Sequence, residues 1–133
     1  MARILVAEDE EAVRTFVVRA LEFAGHGAYG VEDGHAALEE LRDRPYELLL
    51  TDIVMPGLDG IALALTASRS HPDMRILLMS GYAAERQRAH NLDALFHDVI
   101  AKPFTLKTLT RAVNETLAGQ RVTQQPDTAA GLG

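Results

Sequence analysis

Four places in the sequence put oxygen or nitrogen ligands directly behind short apolar runs. Glu8-Asp9 follows Ile4 to Ala7, Asp52 follows Leu48 to Thr51, Ser80 follows Ile76 to Met79, and Lys102-Pro103 follows Val99 to Ala101. If the runs are parallel strands, these residues share one edge, because open parallel sheets bind ligands beyond the carboxyl ends of their strands. Three carboxylates gathered around one lysine repel each other, and such a cluster is stable only when a cation or a proton neutralises it. A hard divalent ion suits an all-oxygen set; Mg²⁺ keeps several waters and leaves a position for a phosphate oxygen, and Mn²⁺ is expected to substitute. The same groups suit the acceptance of a phosphoryl group, whose catalysis is mostly positioning and charge stabilisation. Asp52 is assigned as nucleophile because it ends the central run and is followed by the tight turn Ile53-Val54-Met55-Pro56. Asp9 is the expected main metal ligand, Glu8 reaches the metal through water, and the Val54 carbonyl completes the shell. Lys102 pairs with the phosphoryl group and Ser80 donates to it.

The elements that must position these residues are legible in the same pattern. A further apolar run, Ala28 to Val31, is expected to end in a turn at Glu32-Asp33-Gly34, and each run is separated from the next by a stretch long enough for a helix. That rhythm predicts βαβ units. Ile4 to Ala7, Leu48 to Leu50 and Ile76 to Met79 are continuously apolar, as expected for strands covered on both faces. Between them, Glu11 to Ala24 carries an apolar stripe of Val13, Phe16, Val17, Ala20, Leu21 and Ala24. The last helix is expected to place Leu106, Leu109, Val113 and Leu117 on one face behind Thr105 as N-cap. Gly34 to Arg42, Gly60 to Arg69 and Ala83 to Leu95 are weaker helical segments. From Gly119 to Gly133 the sequence is too polar and too rich in small residues to bury a face, and a disordered tail is expected.

Composition narrows the function classes. With 133 residues, 47 % hydrophobic and 24 % charged, the chain fits one soluble domain. It contains no cysteine, and the start MARILVAEDE carries no cleavable apolar segment, so a cytoplasmic setting is expected. Net charge is −6 and no Lys/Arg cluster exists beyond Arg86 and Arg88, which argues against direct nucleic-acid binding. No stretch is long and apolar enough for a membrane span. His26, His35, His71, His90 and His97 lack metal-ligand spacing and read as solvated surface residues.

Taken singly, each candidate has a plain explanation: Glu8-Asp9 as a solvated turn, Asp52 as a turn or capping aspartate, Ser80-Gly81 as loop punctuation, Lys102 as a surface lysine. Together, Glu8-Asp9, the stretch Asp52-Ile53-Val54-Met55-Pro56-Gly57-Leu58-Asp59-Gly60, Ser80-Gly81 and Lys102-Pro103-Phe104 resemble the response-regulator receiver family over residues 2 to about 118. The resemblance implies a receiver domain over 1–118 with a flavodoxin-like, doubly wound five-stranded parallel sheet of order 2-1-3-4-5 and helices on both faces. It also implies a peptide bond before Pro103 that is usually cis, and phosphotransfer to Asp52 from a histidine kinase or histidine phosphotransfer protein. Leu50 to Pro56, Met79 to Ala83 and Ala101 to Phe104 are most similar to the CpdR-type single-domain regulators, which are associated with regulated proteolysis by ClpXP.

One departure bears on the switch. Receivers often carry Tyr or Phe three positions before the lysine, and here that position is Val99, so a signal would have to pass through Ser80 and repacking around Tyr82 and Val99. Tyr82 reads equally as a packing or a partner-contacting residue. The apolar or bulky side chains of Val54 and Tyr82 beside the acceptor predict a fairly long-lived phosphorylated state. A phosphatase with an aspartate nucleophile would need an acid two residues beyond Asp52, where Val54 stands. A nucleotide-binding domain would need a glycine-rich loop where Ala7-Glu8-Asp9-Glu10-Glu11 is acidic. The expectation is therefore a phosphoacceptor switch with at most slow self-dephosphorylation, acting by protein binding or as a phosphoryl shuttle.

Overall fold

The computed structural model describes residues 1–81 and 98–120. In chain order its elements are β1 (Arg3–Ala7), α1 (Glu11–Phe23), β2 (Gly27–Val31), α2 (Gly34–Asp43), β3 (Leu48–Asp52), α3 (Gly60–Ser70), β4 (Arg75–Ser80), β5 (Asp98–Ala101) and α4 (Leu106–Leu117). The strands form one parallel sheet in the order β2-β1-β3-β4-β5, the doubly wound, flavodoxin-like arrangement expected. The helical segment expected over Ala83 to Leu95 lies outside the described residues, as does the tail from 121 onward.

Alternation along the strands divides the core into two layers. Leu5, Ala7, Leu49, Ile76, Leu78 and Val99 face one side, where α2 and α3 bring Ala37, Leu41, Leu63, Ala64 and Ala67. Ile4, Val6, Leu48, Leu50, Leu77, Met79 and Ile100 face the other, against Val17, Ala20 and Leu21 of α1 and Leu109, Ala112 and Val113 of α4. Successive side chains of a strand point to opposite faces, so a continuously apolar strand feeds both layers at once. Each fully buried Leu or Ile contributes on the order of 2 kcal/mol by its removal from water. The sheet is thereby fixed in register, and with it the residues at its carboxyl edge.

Helix ends follow from local chemistry. Asp33 accepts from the Ala36 N–H at 2.8 Å, Asp59 from the Ala62 N–H at 2.9 Å and Thr105 from the Thr108 N–H at 3.2 Å, each satisfying a first-turn donor that would otherwise lack a partner. Asp33, expected only as part of a turn, is thus the N-cap of α2. Gly25 and Gly119 adopt positive φ at the ends of α1 and α4, and the amides that follow close back on Leu21 and Glu115. Three positions depart from the expected apolar stripes. Phe16 is 44 % exposed and Leu106 41 % exposed, and Ala24, expected as the last residue of α1, is its exposed C-cap. The buried face of α1 narrows to Val17, Ala20 and Leu21, with Val13 and Val18 partly buried against the same layer.

Candidate functional site

Glu8, Asp52, Ser80 and Lys102 reach one edge because the ladder hydrogen bonds continue past the strands. The Glu8 N–H donates to the Val31 carbonyl at 3.1 Å, the Ile53 N–H to Met79 at 3.0 Å and the Lys102 N–H to Ser80 at 2.8 Å. Asp52 and Ser80 are the last residues of β3 and β4, with Asp52 in register with Met79 and Ser80 with Ala101. Each chemically active residue is therefore held by backbone bonding on the sheet itself. The bond between Lys102 and Pro103 is cis, as the resemblance implied.

Lys102 Nζ donates to Glu8 Oε1 at 2.8 Å and to Asp52 Oδ2 at 3.0 Å. Glu8 is fully buried, and its second oxygen, Oε2, accepts from the Glu10 N–H at 3.1 Å. Asp9 is exposed and completes the cluster: Glu8, Asp9 and Asp52 each offer a carboxylate oxygen, all within 4.8 Å of one another. Burial pushes the Glu8 carboxyl above its ordinary range; the hydrogen bonds from Lys102 and the Glu10 N–H pull it back only in part, and the Asp52 charge adds to the rise. Burial also opposes the charge on Lys102, yet its hydrogen bonds to Glu8 and Asp52, with their negative charges, outweigh that and hold the ammonium above the usual lysine value. Lys102 stays charged and is shared by Glu8 and Asp52, with the Asp9 carboxylate close to both.

Beside the cluster lies a cleft of about 750 Å³ lined by Asp9, Asp52, Lys102, Val54, Phe16 and Phe104 among others. Oxygen donors at this spacing, two buried and one exposed beside a cleft, fit a hard cation that retains some of its water. Val54, 52 % exposed, stands on the rim, where its carbonyl was expected to act. Ser80 is fully buried at the end of β4. Val99, where receivers often carry an aromatic residue, is buried in the sheet core at 3 % exposure. Tyr82, expected to border the acceptor, lies outside the described residues.

Three contributors had no assigned role in the sequence reading. Gly60 sits so close to the end of β3 that a Cβ there would overlap the Asp52 carbonyl oxygen, and its N–H donates to the Ile53 carbonyl at 2.7 Å. The glycine closing the Asp-x-x-Met-Pro-x-x-Asp-Gly stretch is thus a spacing requirement of the acceptor strand, and the motif was the available signal. Arg14 and Gly30 carried no such signal; their contact is made only in three dimensions.

The model of the response regulator receiver domain matches residues 4–114. The chain belongs to the response regulator receiver family. It is 41 % identical over 117 residues to the response regulator receiver protein CpdR of Brucella abortus, covering 88 % of this chain and 98 % of that protein. It is 40 % identical over 123 residues to the sensor kinase CckA of the same organism, covering 90 % of this chain but only 13 % of the kinase. Among solved structures, the response regulator TrrA of Thermotoga maritima in complex with Mg²⁺ and BeF matches with a TM-score of 0.79 and 28 % identity, over 87 % of this chain and 99 % of that one. No helix among the described residues is long and apolar enough to cross a membrane.

Proposed function

We propose that the chain is a cytoplasmic single-domain response regulator that accepts a phosphoryl group on Asp52 from a phosphohistidine and acts by phosphorylation-dependent protein binding. The observation that carries this is the placement of Lys102 Nζ on Asp52 Oδ2, beside a set of three neighbouring carboxyl groups. An Asp52 carboxylate oxygen attacks the donor phosphorus, the phosphorus–nitrogen bond breaks, and its electron pair returns to the departing imidazole. Lys102, already charged and in place, pairs with the transferred oxygens, and Ser80 is the hydroxyl donor. Asp9 and Asp52, with the Val54 carbonyl, would hold Mg²⁺ or Mn²⁺. Glu8, whose two oxygens already have protein donors, would reach it through water. The cation, when bound, neutralises charge on the phosphoryl oxygens. That TrrA, a similar response regulator, was solved in complex with Mg²⁺ and BeF supports cation binding here.

Similarity to CpdR over nearly its whole length supports a CpdR-like output, in which the chain binds ClpX or another target of regulated proteolysis. The match to one part of CckA favours, as a second reading, a chain that exchanges phosphoryl groups with a histidine phosphotransfer protein. In either case the protein works as a switch and not as an enzyme, with at most slow self-dephosphorylation. Incubation with Mg²⁺ and acetyl phosphate is expected to add one phosphoryl mass to the wild type and none to Asp52→Ala. Equal masses in the two proteins would refute the assignment.

A further inference from the structure

The acidic pair that carries the proposed metal chemistry sits on the turn between β1 and α1, and its first residue is held by a side chain with no part in that chemistry. Arg14, in α1, donates from Nη1 to the backbone carbonyl of Glu8 at 2.8 Å. The same peptide segment is fixed by the Glu8 N–H on Val31 and by the Glu10 N–H on Glu8 Oε2. The carbonyl of Glu8 belongs to the peptide unit whose nitrogen is that of Asp9. Its direction sets how Asp9 leaves the strand. Arg14 can lie along this path because the neighbouring strand offers no side chain there. A Cβ on Gly30 of β2 would come 2.9 Å from Arg14 Cγ, 3.1 Å from its Cδ and 3.2 Å from Val18 Cγ2.

We propose that Arg14, seated in the space left by Gly30, is a positioning residue that aims the Glu8-Asp9 pair at the cation and so sets divalent affinity. The inference rests on the metal-assisted phosphoacceptor reading above. Two effects of Arg14 oppose each other. Its positive charge repels a divalent ion, while its hydrogen bond orders the turn that supplies the ligands. The guanidinium is only part-buried and its repulsion is screened by solvent and salt, whereas loss of an outer partner that orients a ligand costs about tenfold or more in metal affinity. Orientation therefore wins, and removing the charge weakens binding instead of strengthening it.

The test is Mn²⁺ binding to the full chain, followed by the electron paramagnetic resonance of free ion at fixed pH and ionic strength. Arg14→Ala is expected to raise the dissociation constant about tenfold and Arg14→Lys, which keeps one donor and the charge, to recover part of it. Gly30→Ala should weaken binding in the wild-type background and have little further effect when Arg14 is already alanine, since the displaced stem is then absent. In the metal-free protein, the amide resonances of Glu8, Asp9 and Glu10 should shift in Arg14→Ala and return toward their wild-type positions in Arg14→Lys. Unchanged or tighter Mn²⁺ binding by Arg14→Ala overturns the proposal, as does a Gly30→Ala effect that persists in full without Arg14. If Arg14→Ala does not fold, Arg14→Lys and Gly30→Ala alone decide, and wild-type affinity in both overturns it. Failure of the wild type itself to bind Mn²⁺ would strike the underlying reading, a result distinct from equal binding by wild type and variant.

Discussion

The two ends of the sheet treat charge in opposite ways. At the amino end, Arg3 stacks on the Tyr46 ring with its guanidinium carbon 5.1 Å from the centroid and donates to the Pro45 carbonyl, Tyr46 donates to Glu40 Oε2 at 2.6 Å, and Arg44 pairs with Glu40 Oε1 at 3.1 Å. With Glu47, whose Oε1 accepts from the Arg3 N–H at 3.1 Å, two carboxylates meet two guanidinium groups there, and they do so beside solvent. At the carboxyl end, three carboxyl groups gather and two of them, Glu8 and Asp52, share the Lys102 ammonium, with Glu8 fully buried. The first arrangement stabilises a surface; the second places unbalanced charge where burial makes it costly. Among the described residues, an acidic excess held partly buried on a rigid edge suits a cation and an anionic group, and the contrast separates function from support more sharply than either end alone.

That contrast can be broken by substitution. The largest effect is expected from Gly60→Ala, which forces a methyl into the Asp52 carbonyl. Thermal or chemical denaturation should show a loss of about 3 kcal/mol or more, and phosphoryl uptake from acetyl phosphate should fall with it. Lys102→Ala strips the ammonium from both carboxylates and should cost about 2 kcal/mol at neutral pH in metal-free buffer, below the value for a fully buried pair because Lys102 is partly exposed. Part of that loss should return on adding Mg²⁺.

Glu8→Gln should act in the opposite direction, raising metal-free stability by about 1 kcal/mol at pH 8 while weakening Mn²⁺ binding. The sign follows from the raised carboxyl of Glu8: between its ordinary value of 4.5 and its higher folded value, the folded state binds the extra proton, so wild-type stability falls as pH rises through that window. The advantage of Glu8→Gln should accordingly vanish as pH is lowered toward 4.5. A lower melting temperature for Glu8→Gln than for wild type at pH 8 would remove the basis for calling the carboxyl edge costly.

The smallest effect belongs to the balanced end. Tyr46→Phe should cost roughly 0.5 kcal/mol and leave phosphoryl uptake unchanged. Burial, with the hydrogen bond and charge of Glu40, pushes the Tyr46 phenol up to about 12. Its contribution is fully present below the ordinary tyrosine value of 10.0 and is lost as pH rises through about 12. An ultraviolet titration that finds every tyrosine ionising near 10 would show that the Glu40 contact does not persist in solution.

Much of this was legible in the sequence because strands buried on both faces announce themselves as apolar runs. Ile4 to Ala7 and Leu48 to Thr51 fall within one residue of β1 and β3, and Glu8, Asp9, Asp52, Ser80 and Lys102 stand where those runs end. Thr105 caps α4 as its hydroxyl and the pattern behind it suggested. What stayed hidden depends on distance in space. The expected stripes included Phe16 and Leu106 because periodicity records which side of a helix is apolar, but not how much of that side the neighbouring layer covers. The division of Lys102 between Glu8 and Asp52 joins residues far apart in sequence, and the Arg14 and Gly30 contact crosses from a helix to an edge strand without a motif.

The Ile53 carbonyl bound by the Gly60 N–H, with Asp52 pressed against the same glycine, makes the segment between them a closed span. Within it Val54 and Pro56 face outward and are open to exchange for other side chains, whereas Gly57, also exposed, holds a positive φ of 77° that favours glycine. Its length is not open to exchange. Gaining or losing a single residue would move Gly60 off the Asp52 carbonyl and bring a side chain into its place. Descendants of this sequence are thus free to alter what approaches the acceptor, and with it partner preference and phosphoryl lifetime, while the span that places the acceptor stays constant.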